Sequence, residues 1–314
     1  MKLSTVTAFK NMNTNSDQFI HLEKDLLKRY QEELLKIAED IIEVCEEEHI
    51  SYHLTGGSAL GAVRHQGFIP WDDDMDIDIL GDDFPRFIEA FSKKYQDKYW
   101  IHTCKTPGYG MTINRVRLKD SVFRGREDAD NEECGFFVDI IRIENTFDSA
   151  ILRKLHGILC MGMGLLLSCR NFYANRKLMR EIAALNPDFK SASNFKIRLG
   201  FFLQFFSVNR WARMTQACYG LCKNSHSEFV SVPAGRNHYF GEMYKREDFV
   251  ATTDAQFEGH TWKIPKEYDA YLTHMYGDYM AIPKEEDREV HVLLELKFPG
   301  EKAILPKGKE KGHE

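Results

Sequence analysis

Hydrophobic positions near the start of the chain repeat with a helical spacing and then switch to strict alternation. Between Glu23 and Glu48 apolar residues recur every three or four positions, which predicts one long helix with a solvated face rich in Glu and Lys. A short apolar run at 50–54 predicts a strand. Along 74–80 the period is two, which predicts a second strand with polar and apolar residues on opposite faces.

The rest of the chain predicts further strands, followed by a long helical region. A helix is expected from Asp82, with Asp83 as its N-cap just before Pro85. The other predicted elements are two paired strands, a strongly apolar strand, a helical region and a late helix, at 99–104 and 111–118, 136–143, 150–225 and 266–276. This order predicts an α+β fold, in which a mixed sheet carries helical additions.

The alternating strand lies in a run of seven aspartates between Trp71 and Asp83. An extended chain would present Asp74, Asp76 and Asp78 on the face opposite the Met and Ile side chains. Several carboxylates on one face repel each other unless a cation lies among them. Oxygen-only ligands favour Mg²⁺ or Mn²⁺ over zinc. The alternative is a solvated acidic edge.

The segment before the acidic run combines a glycine turn with a short helix. Gly57 and Ser58 belong to a Gly-Gly-Ser turn whose backbone N–H groups and hydroxyl could cradle a diphosphate at the start of a helix over about 58–65. That helix would deliver Arg64 and His65 beside the turn, where Arg64 could clamp a nucleoside phosphate. His65 has two interpretations, a residue that supports the phosphate site from behind or a structural histidine.

Two later strands offer further charged candidates. Arg115 and Arg117 alternate on one predicted strand. They would neutralise the phosphates of a bound nucleotide if they faced the site, and would otherwise be ordinary surface charges. Asp139 interrupts a strongly apolar strand, where a carboxylate is costly unless it is paired or metal-bound. We therefore predict that Asp139 supplies a third carboxylate from a neighbouring strand.

Three segments together resemble a known protein family. Residues 61–77 read Gly-Ala-Val-Arg-His-Gln-Gly-Phe-Ile-Pro-Trp-Asp-Asp-Asp-Met-Asp-Ile, which resembles the signature of the LicD family of phosphotransferases. The resemblance continues through Phe-Val-Asp-Ile at 137–140 and resumes near the end of the chain. The closing segment comprises Tyr276-Gly-Asp-Tyr-Met280, Pro283, Arg288 and His291.

The resemblance implies a fold and an activity. The family includes phosphorylcholine transferases, is related to fukutin, and belongs to the nucleotidyltransferase superfamily, which shares its core with DNA polymerase beta. It implies metal-dependent transfer of a phospho-alcohol such as phosphocholine, from a CDP-linked donor such as CDP-choline to a cell-surface glycan or lipid-linked saccharide. The alternatives are a nucleotidyltransferase that moves a nucleoside monophosphate, or a non-catalytic nucleotide-binding protein.

The same resemblance assigns roles to the candidate residues. Asp74, Asp76 and Asp139 would hold two Mg²⁺ or Mn²⁺ ions. Asp72 matches an acidic position of the signature and is also a candidate metal ligand. Asp78 is ambiguous, and Asp73 is interpreted as a solvated or capping residue. Arg288 would contact donor phosphate or an aspartate, or else would only pair with Glu285 three residues earlier.

The resemblance also suggests a division of the chain. We expect an N-terminal extension, a nucleotidyltransferase-like core, a helical insertion, the C-terminal part of the same catalytic domain and a disordered tail. These segments correspond to residues 1–20, 21–150, 151–225, 226–301 and 302–314.

Composition narrows the class of partner and the compartment. The chain has 314 residues and a net charge of −6, which argues against a non-specific nucleic-acid binder. Seven cysteines without a Cys-x-x-Cys pair, and no visible signal peptide, predict a cytoplasmic protein. Cys218, Cys222 and His226 have helical spacing and could be read as zinc ligands. Packing of the sulfurs in the core is the better interpretation.

Two apolar runs, 155–169 and 199–208, are flanked by basic residues. The first has about fifteen residues, fewer than the roughly 20 that a membrane span requires. One interpretation is a pair of buried helices. The other is peripheral contact of residues 151–210 with a membrane, at the inner face of the plasma membrane.

Overall fold

The computed structural model describes residues 19–125, 128, 131–185, 187–285, 288 and 293–306. It is a mixed α/β structure, as the order of predicted elements indicated. The predictions for most of the N-terminal extension, for His291 and for most of the tail lie outside these residues.

The first half of the chain alternates short strands with helices. These elements are α1 (Lys24–Glu47), β1 (Tyr52–Leu54), α2 (Gly56–His65), β2 (Asp76–Leu80), α3 (Phe84–Tyr95), β3 (Tyr99–His102), β4 (Asn114–Leu118), β5 (Val122–Gly125) and β6 (Phe137–Asn145). Most predicted elements are present, with ends that shift by a few residues. Asp83 precedes α3 as predicted, but its side chain makes no capping hydrogen bond and instead lies 3.2 Å from Arg86.

The second half contains the predicted helical region, followed by short elements. These are α4 (Ala150–Ala174), α5 (Arg176–Leu185), α6 (Pro187–Phe202), α7 (Val208–Tyr219), β7 (Phe229–Ser231), α8 (His238–Gly241), β8 (Met243–Lys245), α9 (Arg246–Phe249), β9 (Thr252–Phe257), β10 (His260–Pro265), α10 (Tyr268–Tyr276) and β11 (Leu293–Lys297).

One mixed sheet organises the strands. Its order is β1-β2-β6-β4-β3, and β7 and β8 extend it from β6. Strands β1 and β2 are antiparallel, with His53 opposite Asp78 and Leu54 opposite Ile77. The N–H of Asp139 on β6 donates to the carbonyl of Met75 at 2.9 Å, so β6 lies directly beside the acidic segment. Two further antiparallel pairs, β9 with β10 and β5 with β11, lie outside this sheet.

The described chain divides into two compact units. We call them the sheet unit, with residues 19–101, 115–141 and 247–306, and the helical unit, with residues 102–114 and 142–246. In the sheet unit the apolar stripe of α1 is buried, and Tyr30 stacks on Phe123 with ring centroids 4.7 Å apart. The long N-terminal helix, which was predicted from the sequence, thus covers apolar side chains of the sheet unit.

The helical unit has its own core, formed where α4 meets α6 and α7. Its buried members include Leu167, Cys169, Leu203 and Trp211. The indole N–H of Trp211 donates to the carbonyl of Leu203 at 2.9 Å. A buried polar ring group is therefore satisfied within the core.

The cysteines and histidine considered for zinc do not form one cluster. Cys222 is buried and its thiol donates to the Thr146 carbonyl, whereas His226 is exposed. Cys218 instead lies near His156 and Cys160, with possible ligand atoms of all three within 4.8 Å of one another. The ring of His156 already contacts the Cys218 carbonyl at 2.8 Å and the Tyr239 hydroxyl at 3.3 Å. This group therefore anchors α4 through hydrogen bonds.

Helix α4 differs from the expected pair of buried helices. It has 25 residues, and only 22% of its most apolar stretch is buried. Its length and composition are sufficient for a membrane span. Core helices of soluble proteins can have the same length and composition. The prediction that this apolar run forms a fully buried helix is therefore wrong, because one side of α4 is exposed.

Candidate functional site

The hairpin of β1 and β2 brings the glycine turn next to the acidic segment. Leu54 pairs with Ile77, and the following N–H, that of Thr55, donates to the Asp76 carbonyl at 3.2 Å. The chain then enters α2 at Gly56, which has a φ of +54°. A residue with a side chain would be strained at this angle, so the turn requires glycine.

Three aspartate carboxylates converge on the two glycines. A Cβ atom added to Gly57 would lie 2.6 Å from Asp72 Oδ2 and 3.9 Å from Asp74 Oδ1. A Cβ added to Gly56 would lie 3.2 Å from Asp76 Oδ2. The side chains of all three aspartates are only partly buried. The missing glycine side chains therefore make room for the carboxylates at the N-terminus of α2.

The donor set fits the predicted divalent cation. Asp72, Asp74 and Asp76 offer only carboxylate oxygens, which are the ligands that Mg²⁺ and Mn²⁺ prefer. The positive end of the α2 dipole offsets part of their negative charge. The geometry brings the three residues together as the sequence indicated, and their role as metal ligands stays a prediction.

Ser58 connects α2 to the acidic strand. Its hydroxyl is buried and accepts a hydrogen bond from the N–H of Asp76 at 2.9 Å. This contact fixes the start of β2 against the first turn of α2. Contact between Ser58 or Gly57 and a donor diphosphate stays a prediction.

A tyrosine from the C-terminal part of the chain completes the turn. The hydroxyl of Tyr271 on α10 accepts from the Gly56 N–H at 2.8 Å and contacts Thr55 Oγ1 at 2.8 Å. A second hydroxyl, that of Tyr276, would lie 3.8 Å from a Cβ on Gly56. The helix that carries Tyr271 was predicted at 266–276, without a role for this residue. Nothing in the local pattern indicates its long-range hydrogen bonds.

Asp139 lies on the neighbouring strand and is held by Arg115. The Nε of Arg115 donates to Asp139 Oδ1 at 2.7 Å, and a second guanidinium nitrogen lies 3.4 Å from Oδ2. Both side chains are nearly buried, and the guanidinium stacks over Phe137 at 4.0 Å. The geometry favours Arg115 as an anchor for Asp139. Its role toward donor phosphates and the role of Asp139 toward metal stay predictions.

A second buried ion pair lies beside the first. Two Arg117 contacts to the Asp128 carboxylate measure 2.9 Å each, and Arg115 approaches the same carboxylate at 3.7 Å. Arg117 is fully buried, so it is not an ordinary surface charge. Sequence analysis missed Asp128, because it lies among many other acidic residues with nothing to distinguish it.

Two of the basic candidates, Arg64 and Arg288, lie at the ring of Trp71. The guanidinium of Arg288 lies 4.0 Å from the centre of the Trp71 ring, and that of Arg64 lies 5.9 Å from it. Arg288 also approaches Glu285 at 3.7 Å, but that carboxylate is almost fully exposed. The closing segment thus folds back onto the residue next to Asp72, and the local pair with Glu285 is an additional contact.

Arg64 also joins α2 to the segment after α10. It donates to the carbonyls of Tyr279 at 2.7 Å and Ala281 at 3.2 Å. Its Nε donates to the ring of His65 at 2.9 Å, and burial together with this neighbouring charge lowers the pKa of His65. The His65 ring thus accepts a hydrogen bond from Arg64, and its predicted role at the donor phosphate site stays a prediction.

Two further aspartates of the run, Asp73 and Asp78, are buried. Asp73 is 7% exposed, so its interpretation as a solvated residue is wrong. Asp78 is fully buried. It lies on β2, two residues after the half-buried Asp76, and pairs with His53 on β1. Burial lowers the pKa of His53 to about 4.

The fold and the site define an α/β protein with a half-buried carboxylate cluster at a glycine turn. The sequence model described as LicD/FKTN/FKRP, nucleotidyltransferase domain, matches residues 49–148. This range contains the turn, the acidic segment and Asp139. The match to the LicD family model covers about a third of the chain.

Two relatives illustrate the extent of the similarity. The chain is 27% identical over 280 residues to the lipopolysaccharide cholinephosphotransferase LicD of Haemophilus influenzae, covering 87% of this chain and 98% of that protein. It is 33% identical over 136 residues to an uncharacterized protein of Rickettsia prowazekii, covering 33% of this chain and 50% of that protein.

Proposed function

We propose that this chain is a LicD-like phosphotransferase that moves phosphocholine, or a related phospho-alcohol, from a CDP-linked donor to a lipopolysaccharide-type glycan. The observation that carries this proposal is the convergence of Asp72, Asp74 and Asp76 on the turn at Gly56 and Gly57. The full-length similarity to the Haemophilus cholinephosphotransferase supports the phosphocholine class and the glycan acceptor.

We propose a nucleotidyltransferase-like core for this reaction. It would consist of the β1–α2–β2 hairpin and the neighbouring strand β6, which together carry all four acidic candidates. The match of the nucleotidyltransferase domain over residues 49–148 supports this assignment.

Asp72, Asp74 and Asp76 would hold one or two Mg²⁺ or Mn²⁺ ions, with Asp139 as the further ligand. A bound ion would neutralise the donor diphosphate and lower the pKa of an acceptor hydroxyl. For Asp139 the more available oxygen is Oδ2, because its contact with Arg115 is the longer one at 3.4 Å. Arg115 would then orient the carboxylate and limit the negative charge of the cluster.

The chain's other residues would bind and orient the donor. The backbone N–H groups in the first turn of α2, beginning at Gly57, would donate hydrogen bonds to a donor phosphate, as N–H groups at helix N-termini do. Trp71, with Arg64 and Arg288 at its ring, forms a cationic wall next to Asp72. The donor diphosphate would lie between this wall and the carboxylates, and the acceptor oxygen would attack the phosphorus that bears the alcohol.

The alternative activity is transfer of the nucleoside monophosphate, which the name of the matching domain favours. The two reactions release different products from the same donor. In both, the same carboxylates would serve, and the difference lies in which phosphorus faces the acceptor.

Product analysis tests the proposal. Purified protein is incubated with CDP-choline, Mg²⁺ and a lipopolysaccharide acceptor, and the products are followed by phosphorus NMR. We expect release of CMP and phosphocholine bound to the glycan, with none in the presence of a chelator. Attachment of CMP to the acceptor would favour the alternative. Absence of turnover with CDP-choline, CDP-ribitol and CDP-glycerol would contradict both.

A further inference from the structure

Helix α4 exposes an apolar face in its N-terminal half. Ile151, Leu155 and Ile158 are 74%, 58% and 56% exposed, and they are spaced three or four residues apart. Leu152 and Leu159 are half exposed beside them. This spacing places the residues on one side of the helix. A contiguous exposed surface of this kind is characteristic of an interaction site.

The opposite side of α4 is already packed inside the helical unit. His156, Gly157 and Cys160 are buried there, and His156 contacts the Cys218 carbonyl and the Tyr239 hydroxyl. A helix that crossed a bilayer as an isolated span would lose these hydrogen bonds. The packing therefore fits a helix that lies along a surface, with one face in its own unit and the other outward.

A second group of exposed aromatic residues lies at the C-terminal end of α6 and just after it. Phe201, Phe202 and Phe205 are 49%, 71% and 65% exposed. The guanidinium of Arg210 lies 4.0 Å from the ring of the neighbouring Phe206. Aromatic rings next to arginine side chains are typical of segments that enter the headgroup region of a membrane.

The charge of this region is opposite in sign to that of the whole protein. Residues 151–225 contain twelve Lys or Arg and only two Asp or Glu, whereas the complete chain has a net charge of −6. Lys154, which lies within the apolar part of α4, is exposed. The basic residues would attract an anionic surface. They would repel the same region of a second copy of the chain.

We propose that the helical unit docks on an anionic lipid bilayer, with the N-terminal half of α4 lying in the plane of the interface. Ile151, Leu155 and Ile158 insert between the headgroups, and exposed basic residues of this region such as Lys154 contact lipid phosphates. This inference is independent of the donor and of the transfer reaction, since none of these residues belongs to the carboxylate site.

Vesicle sedimentation tests the docking. The full chain is mixed with vesicles of phosphatidylcholine plus phosphatidylglycerol, or of phosphatidylcholine alone, at low and high salt. We expect binding to the anionic vesicles that decreases as salt increases, because surface charges are screened. Equal binding to both vesicle types would overturn the proposal.

Matched variants locate the contact. Leu155→Gln combined with Ile158→Gln should lower vesicle affinity about tenfold or more, since two inserted apolar side chains are lost. Both residues are exposed, so the circular dichroism spectrum should not change. Ile282→Gln, at a residue of the sheet unit that is 63% exposed, is the control and should bind like the original protein. Unchanged affinity of the double variant would overturn the proposal.

A further measurement separates lipid from a second copy of the chain. Sedimentation velocity without vesicles should show no concentration-dependent association that depends on this face. A dimer that is present without lipid and is lost in the Leu155→Gln, Ile158→Gln variant would assign the face to self-association and overturn docking. Lys154→Glu should weaken binding to the vesicles that contain phosphatidylglycerol and should leave any binding to pure phosphatidylcholine unchanged.

Discussion

Two groups of aspartates in the sheet unit accommodate their negative charge in different ways. Asp128 and Asp139 are buried, and each is hydrogen-bonded to an arginine. Asp72, Asp74 and Asp76 are half-buried and converge on two glycines at a helix N-terminus. A buried carboxylate is costly unless it is paired, whereas a half-buried carboxylate is partly stabilised by solvent. The comparison therefore separates two buried acids with arginine partners from three half-buried acids that we propose as metal ligands.

The largest expected effect comes from neutralising the half-buried group. Asp74→Asn or Asp76→Asn should lower turnover by about 10³-fold or more, because each removes a proposed metal ligand. Thermal stability in metal-free buffer should be unchanged or higher, because repulsion among the carboxylates is relieved. CMP release and thermal melting are the measurements. Near-normal turnover in both variants would remove the metal-site assignment.

Substitution of Asp139 tests whether this residue is a metal ligand or only a structural partner of Arg115. Asp139→Asn should lower turnover by about 10³-fold, like the ligand variants, and should also lower stability because Arg115 loses its buried partner. Turnover per folded molecule and urea unfolding give the two readouts. Loss of stability alone, with normal turnover of the folded fraction, would place Asp139 with the structural acids.

Asp128 should show the opposite behaviour to Asp74. Asp128→Asn leaves the fully buried Arg117 without its counterion, and we expect a loss of about 3–5 kcal/mol in unfolding free energy. Asp83→Asn is the control, since its pair with Arg86 is partly exposed and should contribute below about 1 kcal/mol. Urea unfolding measures both, and equal small effects would mean that the buried pair is dispensable.

The buried histidine near the acidic strand adds a pH-dependent test. Burial lowers the pKa of His53 to about 4, from about 6.5 in the unfolded chain. Between these pH values only the unfolded chain binds the proton, so stability should fall as pH decreases from 6.5 to 4, by about 3 kcal/mol at most. His53→Leu should remove this part of the pH dependence of urea unfolding. An unchanged profile would show that other groups cause the acid sensitivity.

The smallest expected effect concerns the cationic wall at Trp71. Arg288→Ala should weaken CDP-choline binding by about 1–3 kcal/mol, the range for a lost charge-assisted contact. Glu285→Ala is the matched control, because that side chain is almost fully exposed and should not alter donor affinity. Calorimetric titration of both variants makes the comparison. Normal donor affinity in Arg288→Ala would return this segment to a structural role.

The parts of the site that could be predicted are those that local sequence determines. Alternation along 74–80 predicted the strand found at Asp76–Leu80, and the Gly-Gly turn predicted a close approach of the backbone. The full burial of Asp78 was not predicted. The carboxylate in an apolar strand indicated that Asp139 is paired or metal-bound, and Arg115 is one partner. The role of Asp139 as a third metal carboxylate stays a prediction. These inferences required only neighbouring residues or the cost of burying a charge.

The contacts that were missed depend on residues far apart in the chain. The bonds from the Tyr271 hydroxyl to Thr55 and Gly56 join positions more than two hundred residues apart. Asp73 is buried although its neighbours along the run are half exposed, because tertiary packing decides the exposure of a residue just before a strand. In α4, hydrophobicity alone did not indicate which side would be covered, since apolar residues occupy both sides.

The close approach of Gly57 to Asp72 gives the site a steric control that is separate from its charge. A methyl group at position 57 would meet Asp72 Oδ2 at 2.6 Å, and the carboxylate would have to rotate away. Gly57→Ala would thus change the shape of the cluster while keeping every ionisable group. The absence of a side chain at position 57 lets the Asp72 carboxylate approach the backbone of the turn closely. Geometry and electrostatics, which any aspartate substitution alters together, become separable variables at this one glycine.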